Sequence, residues 1–140
     1  MPRPEVVIRM AKNDDGDRIA ELMKKNGFFQ WDNWEIDWHD IEPSWLAAEI
    51  NGVIEGVIQI TPAKPIGRIE VLSINQDLPL LGKTRVARAL TNHGMATLKM
   101  YGSQVVSSSI PWRYGDYLAQ AAEENWISLD SAEIVARRLV

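Results

Sequence analysis

The chain has 140 residues, 15 Lys and Arg against 19 Asp and Glu, and a formal net charge of −4, a length that suits one domain with one sizeable core. The acidic balance opposes general nucleic-acid binding, which needs a basic face, and no apolar run approaches the roughly 20 residues that span a bilayer. Without cysteine there is no disulfide, thiolate metal site or cysteine nucleophile. The start, Met1-Pro2-Arg3-Pro4-Glu5, lacks the apolar centre of a secretory signal, so a cytoplasmic location is the expectation.

Glu5 to Met10 reads as a first strand, with β-branched Val6, Val7 and Ile8. Asn13-Asp14-Asp15-Gly16 is a turn that can supply a helix cap. Asp17 to Asn26 follows as an amphipathic helix with Ile19, Leu22 and Met23 as its apolar stripe and Gly27 at its end. Phe28 to Pro43 holds Trp31, Trp34 and Trp38 at spacings of three and four, which a helix would place on one face. Trp45 to Ile50 and Val53 to Thr61 form a hairpin around Asn51-Gly52, a strong turn dipeptide. Pro62 to Gly67 is a turn and Arg68 to Ile74 a fourth strand.

The most informative stretch is IEVLSINQDLPLLGKTRVARAL, Ile69 to Leu90. Its strand places Ile69, Val71 and Ser73 on one side and Glu70, Leu72 and Ile74 on the other. A polar turn, Asn75-Gln76-Asp77, leads through a loop with Pro79 and Gly82 to a helix opened by Thr84 and stopped near Tyr101 by Gly102. Lys83, Arg85 and Arg88 oppose the helix dipole at this end, which makes sense if an anion sits there. Gly82-Lys83-Thr84 is not a P-loop, because Asp77 stands where the earlier glycine belongs. Gln104 to Ile110 is a fifth strand, Tyr114 to Glu124 a short helix, and Trp126 to Leu129 and Glu133 to Leu139 the last strands.

This order, together with Gly82-Lys83-Thr84-Arg85-Val86-Ala87-Arg88-Ala89-Leu90 and the hairpin phrase WLAAEINGVIEGVI, resembles the GNAT (Gcn5-related) N-acetyltransferases. The resemblance implies an α+β fold, a mixed, mostly antiparallel sheet flanked by helices over residues 1–140. It implies acetyl-CoA as co-substrate and acyl transfer to a primary amine, from a small molecule or a peptide. It assigns the cofactor to the backbone of Leu72, Ser73 and Ile74 on a bulged fourth strand. The pyrophosphate falls to Gly82, Lys83, Thr84, Arg85, Val86, Ala87 and Arg88. Arg85 stands where the family has a glycine, and its side chain either crowds the pyrophosphate or contacts it.

For proton transfer, Glu70 is the candidate base if partly desolvated, against a surface ion pair as the alternative. Ala121 stands where the resemblance puts the family's general-acid tyrosine; Tyr117, one turn earlier, is the candidate acid, with Tyr114 near the helix start as the other tyrosine in reach and a core or rim position as the alternative for either. His39 is a second candidate base, or else a surface residue between Asp37 and Asp40. Trp31, Trp34, Trp38 and Asp37 suit a cage for a cationic, polyamine-like or lysine-like acceptor, or else a core face with acids in water. Two histidines over fifty residues apart make no metal site. The resemblance also implies a homodimer as an expectation, since many members of the family pair. The competing class is a non-catalytic member of the same fold that binds CoA or a protein partner, of a kind that also occurs in phages.

Overall fold

The structure, a computed structural model, describes residues 4–26, 45–109, 127–128 and 134–138. The elements in chain order are β1 (Val6–Met10), a 3-10 turn (Asn13–Asp15), α1 (Gly16–Lys25), β2 (Trp45–Ile50), β3 (Val53–Thr61), β4 (Ile66–Ile74), α2 (Leu80–Met100), β5 (Val105–Ser109), β6 (Ile127–Ser128) and β7 (Ile134–Arg138). The hydrogen-bonded strand order is β1-β2-β3-β4-β5-β7-β6. β4 and β5 run parallel, while β1/β2, β2/β3, β5/β7 and β6/β7 are antiparallel. The sheet is therefore mixed and mostly antiparallel, as the sequence implied.

The residues cluster into two compact units, 1–59 with 71–94 and 60–70 with 95–140. In the first, the α1 stripe of Ile19, Leu22 and Met23 packs on Trp45, Ala47, Ile54 and Val57, with Ala11 and Val71 at the margin. The hairpin turns at Asn51 (φ 52°) and Gly52 (φ 78°), the left-handed pair that an Asn-Gly hairpin demands. Further along, Ala48 faces Gly56 but Glu49 faces Ile54, so Glu55 is the extra residue of a β-bulge.

Arg9 on β1 ties this unit together. Its guanidinium donates to both Asp15 oxygens, at 2.7 and 2.9 Å, and to Glu49 on β2 at 2.8 Å. Asp15 also accepts the Lys12 N–H at 2.7 Å. The hydrogen bonds from Arg9 hold the Asp15 carboxyl below the ordinary carboxylate range, against the opposing effect of burial. Because the folded pKa is lowered, the linked stability is whole above the unfolded value and fades as pH falls through the folded one. Asp15→Asn is expected to cost about 2 kcal/mol at pH 7, the scale of a hydrogen bond to a charged group. Urea titrations from pH 7 towards pH 3 should show the gap to wild type closing in acid; a gap independent of pH would sink this account.

In the second unit, Ile66 to Ile69 pair with Val105 to Ser108. β4 thus begins two residues before Arg68, because parallel pairing recruits Ile66 and Gly67. Gly67 lies close against Leu98 and Ser103. α2 ends as expected at Gly102 (φ 93°). The Gly102 N–H reaches the Lys99 carbonyl and the Ser103 N–H the Leu98 carbonyl, both at 3.0 Å, a Schellman closure. β6 and β7 fall inside the two final strands expected from sequence. The segments 28–43 and 114–124, each expected as a helix, lie outside the described residues.

Candidate functional site

The site is built by the turn that joins β4 to α2. Asn75 donates its backbone N–H to the Glu55 carbonyl at 2.8 Å. Its side-chain amide donates to the Glu55 carboxylate at 2.9 Å. The Asn75 side-chain oxygen accepts the Asp77 N–H at 3.1 Å, and its carbonyl accepts the Leu78 N–H at 3.3 Å. Gln76 closes the turn from the other side by donating to the Ile74 carbonyl at 3.0 Å. The polar turn read from Asn75-Gln76-Asp77 is therefore an Asx turn anchored on the β3 bulge.

α2 starts four residues before Thr84. Pro79 presets its own backbone, Leu80 and Leu81 are good helix formers, and one glycine at position 82 is a tolerable cost of about 1 kcal/mol. The Pro79 carbonyl accepts the Lys83 N–H at 3.0 Å, the first helical bond. The N–H groups of Leu80, Leu81 and Gly82 therefore have no acceptor within the helix. No acidic side chain occupies this first turn. Space at Gly82 is open, since an added Cβ would meet only Leu78 and Pro79 at 3.6 to 4.0 Å. Of the stretch Gly82 to Ala87, only Gly82 thus contributes an open-turn amide; Thr84, Arg85, Val86 and Ala87 lie deeper in the helix. Thr84 donates its hydroxyl to the Leu80 carbonyl at 3.0 Å. Val86 and Ala87 are buried in the core.

The three cations do not form one cluster. At 100° per residue, Arg85 and Arg88 lie about 60° apart on the helix, but Lys83 lies about 160° from Arg85. Arg85 donates to the Pro4 carbonyl at 2.8 Å, so its guanidinium rests on the N-terminal segment. Arg88 is exposed and Lys83 half-buried.

On β4, Ser73 is buried and faces α1. Its hydroxyl donates to the Leu22 carbonyl at 3.2 Å and accepts the Asn26 side-chain N–H at 2.7 Å. Asn26 also donates to the Ile74 carbonyl at 2.9 Å, which locks the end of α1 to the end of β4. Sequence reasoning saw Asn26 only as a helix end. Ile74 is buried and Leu72 half-buried. Glu70 is not desolvated as the candidate base required. It is exposed, pairs with Arg68 at 3.0 Å and accepts the Thr61 hydroxyl at 3.2 Å. Positions 68 and 70 share one face of a strand, which brings the opposite charges together. Trp31, Trp34, Asp37, Trp38, His39 and Tyr117 lie outside the described residues. Among the described residues, no group of three His, Asp or Glu could hold a metal, and no helix is long and apolar enough to cross a membrane.

No family model and no curated protein matches the sequence. Solved structures do. Ard1 from Thermoplasma volcanium superposes with a TM-score of 0.76 at 12% identity, covering 96% of this chain and 98% of that one. YncA from Salmonella typhimurium, solved with its cofactor acetyl-CoA, gives 0.74 at 13% identity over 97% and 95%. An acetyltransferase of the GNAT family from Staphylococcus aureus gives 0.73 at 13% identity over 97% and 100%. The chain has the GNAT acetyltransferase fold. Identities this low show the fold, and the connectivity read from sequence agrees with it element by element where residues are described. The turn between β4 and α2 is where this chain leaves amides without a helical acceptor.

Proposed function

We propose that this protein is an acyl-CoA-dependent N-acetyltransferase that moves an acetyl group from acetyl-CoA to a primary amine. The observation that carries this reading is the start of α2. Three N–H groups without an acceptor in the helix, at Leu80, Leu81 and Gly82, stand at the positive end of a 21-residue helix with no carboxylate in its first turn. That is what a pyrophosphate needs, and it stands in a fold whose solved representatives include one with acetyl-CoA as cofactor.

In the transfer, the amine nitrogen attacks the thioester carbon, the carbon–sulfur bond breaks, and the amine proton is lost as the thiolate departs. The chain's part is to hold the phosphates at α2 and to present backbone N–H groups of Leu72 to Ile74 towards the pantetheine. Tyr117 is the proposed proton donor to the thiolate. Glu70, exposed and paired with Arg68, is the side chain proposed to take the amine proton. The acceptor proposed is a small cationic amine, received by Trp31, Trp34, Trp38 and Asp37 through cation–π contact and charge.

Calorimetry with acetyl-CoA is the test, on protein freed of co-purified ligand. Micromolar binding is expected, followed by turnover in an amine screen that reads free thiol. Binding without turnover would move the reading to a CoA-binding module without catalysis. No binding at millimolar acetyl-CoA would remove the enzyme reading.

A further inference from the structure

We infer that Glu55 is a positioning residue for the phosphate site at α2, an inference that rests on the acetyl-CoA reading above. Glu55 never touches the ligand in this scheme. It acts by fixing the turn that sets where the first amides of α2 point.

Three observations lead there. Glu55 is the extra residue of the β3 bulge, facing no residue of β2. Bulges re-aim a side chain, and this one aims a carboxylate at a turn rather than at solvent, since only 12% of the side chain is exposed. Secondly, Glu55 grips Asn75 twice. Its backbone carbonyl takes the Asn75 N–H, and its carboxylate takes the Asn75 side-chain N–H. Asn75 in turn orders Asp77 and Leu78, the residues that lead into Pro79 and α2. Thirdly, Arg18 of α1 holds the bulge from the other side. It donates to the Ile54 carbonyl at 3.0 Å and places a second nitrogen 3.6 Å from the Glu55 carboxylate.

A carboxylate beside an anion site needs a reason, because by itself it repels phosphate. Arg18 supplies the compensation. The charges of Arg18 and Glu55 offset each other, while the carboxylate keeps a charge-assisted hydrogen bond on Asn75 that a neutral acceptor would weaken. The result is a brace from α1 through β3 to the turn; Arg18 also pairs with Glu21 at 3.3 Å, so its charge is shared between two carboxylates.

The variants Glu55→Ala, Glu55→Gln and Asn75→Ala test this, with acetyl-CoA affinity and amide exchange of Asp77 and Leu78 in ligand-free protein as readouts. Losing the charged hydrogen bond is expected to weaken binding about tenfold in Glu55→Ala and in Asn75→Ala. The double variant should be no weaker than Asn75→Ala alone, which already loses the Glu55 bond together with its own bond to the Asp77 N–H. Glu55→Gln keeps an acceptor for Asn75 and should stay within about threefold of wild type. Exchange at Asp77 and Leu78 should quicken in the two alanine variants and not in Glu55→Gln. Asn75→Ala serves alone if Glu55→Ala fails to fold. Wild-type affinity in Asn75→Ala, full additivity in the double variant, or Glu55→Gln as weak as Glu55→Ala would each overturn the inference. Wild-type protein that binds no acetyl-CoA would instead overturn the function proposed above, and the exchange comparison would still show whether Glu55 orders the turn.

Discussion

Gly56→Val is expected to destabilise the protein by about 3 kcal/mol, the upper part of the range for overpacking a filled core. Even a single Cβ at this position would lie 2.6 Å from the Val86 Cγ1, and 3.1 Å from the ends of both Ile74 and Leu90. All three neighbours are almost fully buried. Val86 is β-branched on a helix and has essentially one rotamer, so it cannot swing aside. Against this stands the gain from replacing glycine in a strand, about 1 kcal/mol at most from backbone entropy and β propensity. The clash wins. Thermal unfolding should fall by roughly 10 °C for a chain of this size. The paired change Gly56→Ala with Val86→Ala removes the closest contact and should recover much more stability than Gly56→Ala alone. A Gly56→Val protein within 0.5 kcal/mol of wild type would show that α2 does not seat on this glycine as described.

How far the sequence could be read depends on the range of the interaction that decides each feature. Asn51-Gly52 fixes its hairpin through local backbone preference, and Gly102 ends α2 the same way, so both were legible. The α1 stripe was legible because 3.6-residue periodicity reports which face is buried. The Glu55 bulge was not anticipated, although a trace of it exists: Ile54 and Val57 both reach the α1 core, an odd spacing that a regular strand cannot give. Gly82 reads as loop and points to a start of α2 at Thr84, whereas Pro79 and two leucines outweigh it and bring the start to Leu80. The partner of Arg85 could not be foreseen, since Pro4 lies 81 residues away along the chain. The ion pair of Glu70 is one of the two readings the sequence offers, and choosing between them takes knowing that the strand leaves that face in water. Side-chain roles were thus least legible where they depend on a distant neighbour, which is why the cation cluster expected at the helix start separates into two faces.

The last prediction divides stability from binding at one position. Gly82→Asp is expected to weaken acetyl-CoA binding by about a hundredfold while leaving the fold as stable or slightly more stable. Gly82 is the third residue of α2, where a carboxylate faces unbonded N–H groups and the positive end of the dipole, worth 0.3 to about 1 kcal/mol in favour of the helix. Aspartate is also a slightly better helix former than glycine. Space is no obstacle, because the nearest atoms to a Cβ here stand at ordinary contact distance. The same carboxylate occupies the amides that a pyrophosphate would use. It also sets a negative charge against the ligand, worth on the order of 4 kcal/mol at about 4 Å near a protein surface before salt screening. Screening and side-chain movement reduce that to roughly 3 kcal/mol, which is the hundredfold figure. Differential scanning calorimetry and acetyl-CoA titration on the same preparation read both quantities. A variant that melts earlier and binds less is only a damaged fold. A variant that melts at or above the wild-type temperature and still binds normally places the phosphates somewhere other than the start of α2. Loss of binding with the melting temperature kept ties the helix start to the ligand without reference to catalysis, and so holds even if the acceptor amine is never found.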